Sequence, residues 1–70
     1  MKDFIGKEVA LFPDDTYKKN AIVLNVDEYG VTFKITSCEP KSDYKVNEVI
    51  FINHASKIKI SSILRIIKSN

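Results

Sequence analysis

The sequence predicts a small all-β barrel of five short strands. Two patterns and one size argument carry that prediction. First, Val31, Phe33 and Ile35 interleave with Thr32, Lys34 and Thr36, and Ile58 and Ile60 interleave with Lys57 and Lys59. This is the period-two signature of half-buried strands. Second, the other apolar runs are short, rich in Val, Ile, Leu and Phe, and bounded by turn chemistry. Third, 70 residues make one domain, and a domain near this size buries only about 60% of its unfolded surface.

The elements follow in chain order. Glu8–Phe12 reads as a strand stopped by Pro13-Asp14-Asp15, because proline lacks the ladder donor and aspartate favours Asx-type turns. Two adjacent acids after a proline are therefore read as a turn, not as a metal site. Asn20–Asp27 is the second strand, and Glu28-Tyr29-Gly30 folds it back as a hairpin, with Gly30 available for positive φ. Val31–Thr36 is the third strand. A polar loop from Ser37 to Asn47, containing Pro40, leads to the fourth at Glu48–Asn53. His54-Ala55-Ser56 turns into the fifth, Lys57–Ile60. The barrel spans residues 6–60, and residues 61–70 form a basic, apolar extension. Ser61 or Ser62 can cap a short terminal helix with Ile63, Ile66 and Ile67 at helical spacing. Ile60, Ser62, Leu64 and Ile66 also fit a period of two, which leaves a longer fifth strand open. The helix is the expectation.

Two strands do not alternate. Ile22, Leu24 and Val26 face one side, yet Ala21 and Val23 face the other, and Val49–Ile52 is apolar throughout. Strands apolar on both faces are covered on both faces. One barrel interior covers one face, so a helix or a neighbouring subunit must cover the second. Stabilisation points the same way, since a core this small rarely supplies more than about 3–5 kcal/mol without a disulfide, a metal or a partner. Cys38 is the only cysteine and His54 the only histidine, which excludes an internal disulfide framework and a multi-His zinc cage. Self-association is what remains.

Charge is unevenly placed. Residues 1–50 carry seven lysines against nine acids, giving −2, whereas residues 51–70 carry Lys57, Lys59, Arg65 and Lys68 with no acid, giving +4. Clustered cations without counterions suit an anionic partner such as nucleic acid, or a solvated strand and chain end. The start Met-Lys-Asp-Phe-Ile-Gly-Lys-Glu contains no signal-peptide apolar region, and runs such as Ala21–Leu24 are far too short to span a bilayer. A cytoplasmic protein is expected, and a free thiol fits a reducing compartment. No enzyme and no cofactor are expected. A nucleophile needs a base and the base an orienting partner, and Cys38 and His54 stand far apart without a Gly-rich phosphate loop or metal-ligand spacing nearby.

Residues 9–33 run as a strand, an Asp-containing turn, a longer strand, and then the step Val26-Asp27-Glu28-Tyr29 into a third strand. Residues 50–60 run as a strand, the turn Asn53-His54-Ala55, and another strand. In these two stretches the chain resembles the Sm-like family, and within it the bacterial RNA chaperones of the Hfq type, whose second motif has Lys-His-Ala at that turn. The chain differs in having Asn53 for that lysine and only Met1–Ile5 where relatives open with a longer helix.

The resemblance implies a closed homo-oligomeric ring of about five to seven subunits. In it the fourth strand, through Val49, Ile50, Phe51 and Ile52, pairs with the fifth strand of a neighbour. It also implies binding of short single-stranded U- or A-rich RNA without chemistry. Tyr29 would stack on a base, Asn53 and His54 would hydrogen-bond base or sugar, and Lys57 would neutralise phosphate. Asp27 and Gly30 would shape the turn that carries Tyr29. Each residue also has an ordinary structural role open to it: Tyr29 packing on the barrel rim, His54 bonding within a turn, Lys57 and Lys59 in a solvated face. A different functional class stays open as well. Residues 10–15, Ala-Leu-Phe-Pro-Asp-Asp, are similar to the Ala-Leu-Tyr-Asp-Tyr run of SH3 domains, although the chain has no tryptophan. That alternative is a small SH3-like protein–protein interaction module, such as a phage or plasmid accessory protein.

Overall fold

A computed structural model describes residues 2–55, 60 and 63–68. Five strands make one antiparallel sheet: β1 (Glu8–Leu11), β2 (Lys19–Val26), β3 (Gly30–Cys38), β4 (Val49–Asn53) and β5 (Leu64–Lys68). The spatial order is β4-β3-β2-β1-β5. Among the described residues the protein is all-β, apart from a 3-10 turn at Lys2–Phe4 and a helical turn at Ile60. Gly6 follows that turn at φ +84, where a side chain would be strained. Its N–H and that of Val23 then stitch the chain onto β2, through Gly6 N to Val23 O at 2.8 Å and Val23 N to Lys7 O at 3.1 Å.

The core lies on one face of the sheet. Val9 and Leu11 from β1, Ala21, Val23 and Val26 from β2, and Val31, Phe33 and Ile35 from β3 are buried in one cluster, joined by Ile60 and Leu64. Alternation along β3 places its apolar residues inward, as its sequence pattern requires. Along β2 alternation fails once. Register slips between Val23 and Asn25, so Leu24 stays exposed and Val26 turns inward beside Ala21 and Val23. The expectation that Val26 shares a face with Ile22 and Leu24 is thus corrected. A bulge adds one residue to one strand and inverts the facing of everything beyond it.

One further expectation fails at the C-terminal end. Residues 64–68 are not helical: Leu64–Lys68 is a strand paired with β1, from Leu11↔Leu64 through Val9↔Ile66 to Glu8↔Lys68, with an irregularity at Glu8/Val9. β1 has a free edge on the side away from β2, and satisfying that row of N–H and C=O groups outweighs a weak local helical spacing rich in β-branched isoleucine. The expected fifth strand at Lys57–Ile60 falls largely on residues outside those described. Ile60 itself is buried in a helical turn, accepting from Ile63 N at 3.0 Å.

β4 and β5 are the two edges of the sheet. Among the described residues they do not pair with each other, so the sheet is open where a closed barrel was expected. On β4, Ile50 and Ile52 pack against the core, whereas Val49 and Phe51 are 57% and 51% exposed. β5 likewise exposes Ile66 and Ile67. Among the described residues no helix is long and apolar enough to cross a membrane.

Candidate nucleic-acid interface

The β2–β3 turn is built around one carboxylate. Asp27 Oδ1 accepts from Tyr29 N at 2.8 Å and Gly30 N at 3.0 Å, while Asp27 N donates to Gly30 O at 3.0 Å. Asn25 Nδ2 donates to the other oxygen, Oδ2, at 3.3 Å. A short acceptor side chain that satisfies N–H groups two and three residues ahead is the Asx-turn chemistry that makes aspartate suit such positions. The turn leaves Tyr29 66% exposed.

The second half of the site arrives through β3–β4 pairing. Gly30 stands opposite Asn53 in the antiparallel register. One residue beyond, His54 N donates to Tyr29 O at 2.9 Å, and His54 Nε2 lies 3.0 Å from Asp27 O. A carbonyl oxygen only accepts, so Nε2 carries the proton in that bond and Nδ1 is the ring's acceptor when the imidazole is neutral. Asn53 Oδ1 accepts from Ala55 N at 2.7 Å, closing a second Asx turn. Asp27, Tyr29, Gly30, Asn53 and His54 therefore meet at one end of the sheet. Lys57 and Lys59 lie outside the described residues.

Gly30 has a different role from the one its turn position suggests. Its φ is not positive, Gly6 being the positive-φ glycine. A Cβ at Gly30 would sit 2.2 Å from Ile52 O, 2.7 Å from Phe51 Cζ and 2.9 Å from Asn53 Cα. Glycine is needed there so that β4 can approach.

The other singled-out residues separate. Cys38 is half-buried at the end of β3, and its thiol donates to Tyr44 O at 3.2 Å. Asp14 and Asp15 occupy the β1–β2 turn, where Asp15 pairs with Lys19 at 2.9 Å. Among the described residues no three His, Cys, Asp or Glu side chains gather as a metal site.

Lys19 was invisible to sequence reasoning. It is 5% exposed, in an aromatic corner at the opposite end of β2 from Tyr29. No local signal marks it, because Phe12 and Tyr44, its aromatic neighbours, come from different loops.

No family model, curated protein or solved structure matches this chain.

Proposed function

We propose that the protein is a non-catalytic, Sm-like RNA-binding module that holds short single-stranded U- or A-rich RNA on a homo-oligomeric ring. One observation carries the reading: an exposed Tyr29 and an exposed His54 are held together by the Asp27 turn and the Gly30↔Asn53 register. Exposed aromatic faces stack on bases irrespective of sequence, at about 1–3 kcal/mol per base. His54 Nδ1 and Asn53 Nδ2, the atoms not used in the turn's own hydrogen bonds, supply edge-reading hydrogen bonds. Lys57, just past His54 in the sequence, supplies phosphate neutralisation, and the +4 charge of residues 51–70 favours a polyanion.

Assembly is part of the same reading. β4 and β5 are opposite edges of the sheet, each unpaired on one side among the described residues and each with exposed apolar residues. Pairing β4 of one subunit with β5 of the next is a heterologous contact that closes into a ring when its rotation divides the circle. It removes both open edges, and it gives Val49 and Phe51 cross-strand neighbours on their exposed face. Repetition of one weak site around the ring then raises affinity through effective concentration.

The test is a fluorescence-anisotropy titration of RNA homopolymers across a range of salt. Phosphate contact requires log affinity to fall linearly with log salt, by about 0.7 per neutralised phosphate on single strands. Tyr29→Ala is expected to weaken binding by about 1–3 kcal/mol per stacked base. Absence of binding to every homopolymer at low salt sinks the proposal.

A further inference from the structure

Phe51 is an exposed ring that neither the core nor the Asp27 turn accounts for. Ile50 and Ile52, on either side of it, pack against the core, whereas Phe51 is 51% exposed on the opposite face of β4 beside an equally exposed Val49. Apolar surface gathered on one face of a sheet marks a contact surface.

The place of the ring is set by the missing side chain at Gly30. In the β3–β4 register Thr32 stands opposite Phe51, and Gly30 opposite Asn53. Phe51 reaches diagonally across that register, as aromatic side chains can, and its Cζ lies 2.7 Å from where a Gly30 Cβ would be. Tyr29 precedes Gly30 in the chain, and its carbonyl accepts from His54 N at 2.9 Å. Gly30 is thus the backbone neighbour of one exposed aromatic residue and the floor beneath the tip of another.

The same face carries a charge of the sign that a nucleic-acid strand needs. Side chains directly opposed across an antiparallel pair share a face, so Gly30, Thr32 and Lys34 of β3 lie with Asn53, Phe51 and Val49 of β4. Lys34 is the only charged residue of that set, and it makes no ion pair among the described residues. It stands diagonal to Phe51, about 7–8 Å away. The Asp27 carboxylate, at the end of this face, is committed to Tyr29 N, Gly30 N and Asn25 Nδ2. Glu8 Oε2, on β1, accepts from Thr36 Oγ1 at 2.7 Å, and Glu28 belongs to the turn, not to this face.

We infer that Phe51 is a second base platform. The strand that meets Tyr29 and His54 continues over the exposed face of β3 and β4, stacks a further base on Phe51 and places a phosphate against Lys34. Successive bases stacked on aromatic residues of a sheet surface are a recurrent way of holding single strands. This extends the RNA reading of the Tyr29–His54 end and rests on it. Assembly leaves the platform open, because β4 would pair with a neighbour through backbone groups in the plane of the sheet while Phe51 stands off its face.

The test uses the full chain and labelled oligouridine and oligoadenosine in fluorescence anisotropy. Covering the Gly30 backbone needs only an apolar side chain, whereas stacking needs a ring, so Phe51→Leu separates the two roles. It is expected to weaken binding by about fivefold or more while the urea midpoint and oligomer mass stay those of the parent. Phe51→Tyr, which keeps a ring, should restore most of that loss. Lys34→Gln should lower the salt slope by about 0.7. In the unsubstituted protein, photochemical cross-linking of RNA containing iodouridine should mark both Tyr29 and Phe51, a readout that needs no variant. Affinity of Phe51→Leu within about twofold of the parent, or cross-links at Tyr29 without Phe51, overturns the inference and leaves the Tyr29–His54 site standing. Failure of the unsubstituted protein to bind any homopolymer overturns both.

Discussion

Replacing Gly30 by alanine tests the claim that β4 is seated by the absence of one methyl group. The added Cβ would lie 2.2 Å from Ile52 O and 2.9 Å from Asn53 Cα, both backbone atoms, where ordinary contacts begin near 3.4 Å. Phe51 Cζ, at 2.7 Å, can rotate away; the backbone cannot. β4 must therefore withdraw from β3 by about 1 Å around the Gly30↔Asn53 and Val31↔Ile52 pairs. Overpacking of this kind costs about 1–3 kcal/mol, and loosening one or two ladder bonds adds about 1 kcal/mol each. Alanine returns about 0.4–1 kcal/mol by restricting the unfolded chain. The net is about 2–3 kcal/mol. For a domain of this size each kcal/mol moves the melting temperature by about 4–8 °C, so a drop of about 8–24 °C is expected by circular dichroism, with a matching fall in urea midpoint. Gly6→Ala is the control: its position is open but its φ is +84, so it should cost about 1–2 kcal/mol from the left-handed backbone alone. A Gly30→Ala variant that melts within about 3 °C of the parent refutes the close-approach argument.

Three other outcomes are expected. Asp27→Ala removes the acceptor of Tyr29 N and Gly30 N and should cost about 1–2 kcal/mol in urea denaturation, and under the proposed function RNA affinity falls alongside because the Tyr29 turn loosens. Asp15→Ala leaves the Lys19 ammonium buried without its carboxylate, whereas Lys19→Met leaves only Asp15, 58% exposed in its side chain, to be solvated; the first should therefore destabilise more than the second, by about 1–2 kcal/mol, and the reverse order would show that the pair is dispensable. Phe51→Asp places a charge on the exposed face of β4, so, if the proposed ring forms, native mass spectrometry should show its loss while the subunit stays folded; an unchanged oligomer mass removes β4 from the proposed interface.

The positions of β1 to β4 and the all-β class were legible in the sequence because each rests on local physics. β3 alternates strictly, Pro13 and the two aspartates stop β1, and Asp27 supplies turn chemistry within three residues of itself. What needed the third dimension was whatever depends on a partner strand. Val26 faces the core only because a bulge near Leu24 reverses the pleat, and no period-two reading contains an insertion in the pairing. Leu64–Lys68 is compatible with helix and strand alike, and the free edge of β1 decides between them. The meeting of Tyr29 with His54 is set by the β3–β4 register, and Gly30 is fixed by the approach of β4 rather than by its own backbone. Lys19 is the extreme case, since a lysine beginning a strand reads as solvent-exposed. Its burial is decided by two rings and a carboxylate that fold onto it from separate loops, and those exist as neighbours only once the sheet has formed.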